Sequence, residues 1–150
     1  MTSPELPRWR HPLAYLLTAV VFLALDAVWL TMTTGPIYRP AIGHLMAADV
    51  SWVPAALFYV GYFAGLVFFA VDPALTARRP VGALARGAAL GLLAYGAYDF
   101  TNQATLRDWP WHLTWIDLCW GAVNSGLSAF AAAAATSRLS SRHSSRLHPH

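Results

Sequence analysis

The sequence predicts an all-α fold: an integral membrane four-helix bundle with its N-terminus and C-terminus both cytoplasmic. Three observations carry this reading. Hydrophobic residues make up 57% of the chain and charged ones only 11%, far from the balance of a soluble domain. Four long apolar runs divide it, each close to the ~20 residues that cross a bilayer as a helix. The ten basic residues are all arginine, and they collect at the chain ends and in one loop. With the N-terminus inside, Arg8, Arg10, Arg78, Arg79, Arg86, Arg138, Arg142 and Arg146 fall on the inner side, leaving Arg39 and Arg107 outside. The high pI of about 9.4 is therefore a topology signal. A nucleic-acid binder would hold its positive charge on a folded soluble surface.

The elements follow in order. Residues 1–12 hold three prolines, two arginines and a histidine, and read as a cytoplasmic tail. The four-span domain covers about 13–136. Helix one runs over about 13–33; it is too long for a signal-peptide core and carries Asp26 and Trp29. Gly35-Pro36 is its expected stop, and a short surface helix is expected around Ala41 to Ala48. Helix two spans about 52–71 and is expected to stop at Asp72-Pro73. Its Gly61-x-x-x-Gly65 offers a close-packing face. Helix three, about 81–101, places Gly87, Gly91, Tyr95, Asp99 and Asn102 on one face. Helix four, about 112–136, shares a face among Asp117, Gly121, Asn124 and Ser128, and Asn124 and Ser128 are expected to hydrogen-bond between helices. The tail 137–150, rich in Ser, Arg and His, is expected to be disordered and cytoplasmic, near anionic headgroups. Cys119, a lone cysteine in an apolar segment, is expected to pack in the core.

The costly residues converge in depth. At about 1.5 Å per residue across a core of about 30 Å, Asp26 sits roughly 20 Å above the inner boundary and Asp99 roughly 25 Å above it, with Asp117 roughly 7 Å below the outer one. An ionised Asp facing lipid at a helix centre costs about 2.5 to 3.5 kcal/mol, so all three are expected to turn inward. Tyr59, Tyr62 and Tyr95 come at similar depth. Asp26-x-x-Trp29 in helix one and Asp117-x-x-Trp120 in helix four repeat the same pattern on antiparallel helices, a hint of an inverted repeat. Without a buried Lys or Arg such carboxylates cannot all stay ionised. The layer could then carry a proton, accept a cationic ligand or act as acid and base. The structural alternative is that Asp99 and Asp117 bond Tyr, Trp or backbone groups and hold the helices in register.

Other chemistries find no support. The histidines show no H-x-x-x-H or H-x-x-H-H spacing, and there is no G-x-S-x-G, no phosphate loop and no C-x-x-C. No cofactor or metal is expected.

The stretches Leu25-Asp26-x-x-Trp29, Tyr59-x-x-Tyr62, Tyr95-Gly-x-Tyr98-Asp99-x-Thr101-Asn102-x-Ala104-Thr105-Leu106 and Ile116-Asp117-x-x-Trp120-Gly121 resemble a bacterial membrane-protein family catalogued as domain of unknown function 2177. The resemblance runs from about residue 12 to 135. It implies a multi-pass four-helix fold in the bacterial inner membrane and carries no established activity.

Three functions are open at this level. The first is binding of a small molecule or lipid headgroup in a polar pocket in the outer half of the bundle, formed by Asp26, Asp99, Asn102 and Asp117 and shaped by Tyr59, Tyr95, Trp29 and Trp120. The second is proton-coupled transport by a homodimer built on the glycine faces of helices two and three. The third is a lipid-modifying enzyme with two carboxylates as acid and base, ranked lower because no nucleophile, metal or cofactor cradle accompanies them.

Overall fold

The computed structural model describes residues 9–147, with side chains to residue 140. The chain is helical almost throughout, and no strand occurs among the described residues. Helix α1 covers Arg10–Thr33 and continues through a π turn, Thr34–Tyr38, into α2, Arg39–Ile42, and a 3₁₀ turn, Gly43–Leu45. Helix α3, Trp52–Leu66, continues through a second π turn, Val67–Val71, into α4, Asp72–Thr76. Helices α5, Val81–Thr105, and α6, Trp111–Leu147, complete the fold.

Neither expected proline stop ends its helix. Proline removes one backbone donor and its ring presses on the preceding turn. A wider turn absorbs both effects. The Arg39 N–H bonds the Thr34 carbonyl and the Asp72 N–H bonds the Val67 carbonyl, each spanning five residues. Pro36 sits inside the first π turn, and Pro73 falls in the first turn of α4, where a missing donor costs little. The surface helix expected at 41–48 is instead α2 with its 3₁₀ turn, ending at Leu45.

The helix after Pro73 ends in a Schellman closure. Arg79 N–H bonds the Ala74 carbonyl at 3.0 Å and Arg78 N–H bonds that of Leu75 at 3.1 Å, with Arg78 at φ 53°. Of the two expected tails, residues 1–8 and 148–150 lie outside the described residues. Within them, α1 begins at Arg10 and α6 runs on to Leu147, past the expected boundary at residue 136.

Burial follows one stripe per helix. On α1 it is Arg10, Ala14, Thr18, Phe22 and Asp26, spaced four apart. On α5 it is Ala83, Gly87, Gly91 and Asp99 with Gly96. The α5 glycines bring two backbones together: a Cβ on Gly91 would strike the Gly121 carbonyl group of α6, and one on Gly87 would lie 2.6 Å from the Ser125 carbonyl oxygen. The Tyr95 ring lies directly on Gly121.

The glycines of the second span behave differently. A Cβ added at Gly61 or Gly65 would meet nothing within 4 Å, so the close-packing face expected there stays open within the protomer. Cys119 is exposed on the outer surface of α6, a correction to its expected core role: it falls between the inward positions Asp117 and Gly121, on the opposite side of the helix. Phe22 anchors the core, meeting Tyr59, Tyr62 and Phe63 edge to face at 5.4–6.1 Å.

The outward faces are lined by Leu16, Val20, Val28, Leu57, Phe68, Phe69, Leu93 and others of their kind. In water that surface would drive aggregation; in a bilayer it is the ordinary solvent-facing surface. Among the described residues, three helical stretches are long and apolar enough to cross a membrane: Arg10–Leu45, Trp52–Thr76 and Trp111–Ser140. Helix α5 is not among them, since its glycines, Arg86 and Asp99 dilute its apolar content.

Candidate functional site

The two Asp-x-x-Trp motifs interlock. Trp29 and Trp120 stack face to face, their ring centroids 4.4 Å apart and their planes 6° from parallel. Each indole N–H is then directed toward the other motif. Trp120 Nε1 donates to Asp26 Oδ1 at 3.2 Å. Trp29 Nε1 donates to the Tyr38 hydroxyl at 3.1 Å, and that hydroxyl donates to Asp117 Oδ1. Going up α1 from Asp26 to Tyr38, the partners on α6 go back from Trp120 to Asp117, so the two helices run antiparallel and the clamp has an approximate twofold character. The second oxygen of Asp26 accepts from the Tyr59 hydroxyl at 2.7 Å, which ties in α3.

Tyr38 is the residue that spacing alone misses. Twelve residues of α-helix turn it about 120° away from Asp26, at roughly 100° per residue. The π turn takes up one extra residue, which brings Tyr38 back to within about 20° of Asp26.

Asp99 stands apart chemically. It is fully buried, as deep as any group in the bundle. Neither of its oxygens has a well-formed hydrogen bond. The indole of Trp109 lies beside it, but that N–H is directed to Thr114 Oγ1 at 3.2 Å. Asp117 is near enough for the two carboxylates to repel. Tyr95 lies within electrostatic reach of both Asp26 and Asp117.

The expected residues thus divide into groups. Asp26, Tyr59 and Trp120 form one hydrogen-bonded set and Trp29, Tyr38 and Asp117 a second, and the stack of Trp29 on Trp120 joins the two. Asp99 and Tyr95 border them from α5. Asn102 pairs instead with Tyr98, whose side is exposed. Further in, Tyr62 and Ser125 share a 2.7 Å hydrogen bond between α3 and α6. Ser128 donates to Asn124 Oδ1 at 3.2 Å along α6 itself. That corrects the expectation of bonds between helices for these two: i to i+4 geometry brings the Ser128 hydroxyl onto Asn124 Oδ1, and the buried Asn124 Nδ2 is left without a partner.

Long helices with Leu, Val and Phe outward and carboxylates inward define a helical membrane protein. The chain belongs to the family described as Predicted membrane protein (DUF2177), whose model matches residues 11–134. No curated protein and no solved structure matches it.

Proposed function

We propose that the chain is a four-span protein of the bacterial inner membrane, with both termini on the arginine-rich side, and that Asp99 and Asp117 hold a small cationic ligand or a headgroup amine in its outer half. Helix α5 supplies the fourth span in this reading. Its 25 residues extend about 37 Å, and it turns Val81, Leu92, Leu93 and Phe100 outward.

The observation that carries the ligand reading is Asp99. A carboxylate with no exposure and no good donor, within electrostatic reach of a second carboxylate, is a costly arrangement for a fold to hold. A bound cation or ammonium group offsets that cost for both residues at once. Asp26 has a different part here, since its two oxygens are already satisfied by Tyr59 and Trp120.

The test is thermal unfolding of purified protein in nanodiscs against a panel of small primary and quaternary ammonium compounds. At least one should raise the melting temperature of the native chain and leave Asp99→Asn unmoved. If no compound acts, and Asp99→Asn simply melts higher than the native chain, Asp99 is a structural burden and the ligand reading falls.

A second reading, proton-coupled transport by a homodimer, is favoured by the open Gly61 and Gly65 face, across which a second copy could pack closely. Reconstituted protein that shows no flux of these compounds under an imposed pH gradient would exclude it.

A further inference from the structure

A second polar cluster lies at the opposite end of the bundle, at the arginine-rich side, and sequence spacing does not single it out. Arg10 is buried, and its guanidinium bonds Asp72 and, at 3.4 Å, Thr76 Oγ1. Asp72 itself is only partly covered, its side chain 34% exposed. The His11 ring stands beside it, Nδ1 3.7 Å from Asp72 Oδ1. His11 and Asp72 form the polar mouth of a groove of about 470 Å³ between α1 and the second span, lined further by Tyr15, Ala64, Val67 and Phe68.

The second π turn builds this groove. In an unbroken α-helix Asp72 would stand about 80° round from Ala64. The extra residue taken up between Val67 and Val71 turns it back by about 100°, so that the carboxylate sits nearly above Ala64. The result is a wall about 12 Å long, eight residues at 1.5 Å each, polar at one end and apolar at the other. The polar end coincides with the beginning of one membrane-crossing stretch, at Arg10, and the last turn of another, which ends at Thr76. This is the depth at which lipid headgroups lie.

The charges decide the class of lipid. The groove's lining holds no Arg or Lys, and Arg10 beside it is spent on Asp72, so the groove itself offers an anionic headgroup no free guanidinium. What remains open to the groove is the partly exposed carboxylate of Asp72 and, a few ångströms away, the His11 imidazole. A headgroup with a separated ammonium and phosphate matches that pattern: the ammonium donates to the Asp72 oxygen and the imidazole N–H donates to the phosphate. Three N–H donors on a primary ammonium exploit the carboxylate; a trimethylated one has none. We propose that this groove is a binding site for a phospholipid with a phosphoethanolamine headgroup, with the start of one acyl chain against Ala64, Val67 and Phe68.

The experiment is native mass spectrometry of delipidated full-length protein, titrated in micelles with phosphatidylethanolamine, phosphatidylcholine and phosphatidylglycerol of equal chain length. One phosphatidylethanolamine per protomer should be retained at concentrations about tenfold below those needed for the other two. Ala64→Phe fills the apolar end from an exposed position and leaves the Arg10 and Asp72 pair intact; it should abolish that preference. Asp72→Asn should bind the ethanolamine and choline lipids equally. Equal retention of all three lipids by the native chain, or a preference that survives Ala64→Phe, overturns the proposal. Because Ala64→Phe does not touch the ion pair, the outcome stands even if Asp72→Asn fails to fold. The Asp99 variants leave this readout unchanged, so the two ligand readings fail separately.

Discussion

Replacing Gly91 by alanine probes the tightest contact in the bundle. The added carbon would lie 2.6 Å from the Gly121 carbonyl carbon and 2.7 Å from Ser125 Oγ, against the roughly 3.5–4.0 Å of an ordinary contact. Ser125 can rotate, but the Gly121 group is backbone and cannot. Relief therefore requires α5 and α6 to separate by about 1 Å over at least a turn. Overpacking of this kind costs about 1–3 kcal/mol, and a rigid obstacle puts it at the upper end. The substitution also gains about 1 kcal/mol of helix propensity, which leaves a net loss of about 2 kcal/mol. Gly61→Ala is the control. It gains the same propensity and meets nothing within 4 Å, so it should be neutral or stabilising by up to about 1 kcal/mol. The assay is loss of helical circular dichroism on titration with sodium dodecyl sulfate in mixed micelles. If Gly91→Ala and Gly61→Ala unfold at the same detergent fraction, the close α5–α6 contact is wrong.

Three more outcomes follow from the geometry. Trp120→Phe removes a donor from buried Asp26 and should cost about 1–2 kcal/mol; Trp29→Leu and Trp120→Leu, which remove the rings, should together cost less than the sum of the single losses by about 0.5–1.5 kcal/mol, the worth of a stacked pair, and strict additivity in the same unfolding assay would refute the clamp. Arg10→Gln leaves Asp72 without its cation. A fully buried broken pair costs about 3–5 kcal/mol, but the exposure of Asp72 reduces this to about 1–2 kcal/mol, readable as a lowered melting temperature. Asp49→Cys in a Cys119→Ala background should react with an impermeant maleimide on intact cells, and Arg79→Cys only after permeabilisation; the reverse pattern would invert the orientation.

That the three carboxylates turn inward is legible because lipid makes it so: an Asp in an apolar run is too costly to leave facing outward, and Asp26, Asp99 and Asp117 are all buried. That reasoning finds Asp26, Asp99 and Asp117. It also finds both Asp-x-x-Trp motifs, whose repetition suggests a relationship that the stack of Trp29 on Trp120 expresses physically. It does not say what packs on Gly61 and Gly65, which meet nothing within 4 Å inside the chain, because a small residue permits a close neighbour without supplying one. It does not reach Tyr38 or the Arg10 and Asp72 pair. Both depend on a π turn, and a single residue of helical insertion rotates everything beyond it by about 100°.

Sequence by itself determined that this chain is helical and belongs in a membrane, and which few polar residues its helices must carry inside. These are properties of single segments, set by composition and by the cost of transferring each group into hydrocarbon. The tertiary structure decided which of those residues meet. It joined Asp26 to Tyr59 and Trp120, gave Asp117 to Tyr38, and left buried Asp99 without a good donor. Pairing of that kind depends on helix rotation and separation, and those are fixed only when the facing surfaces pack.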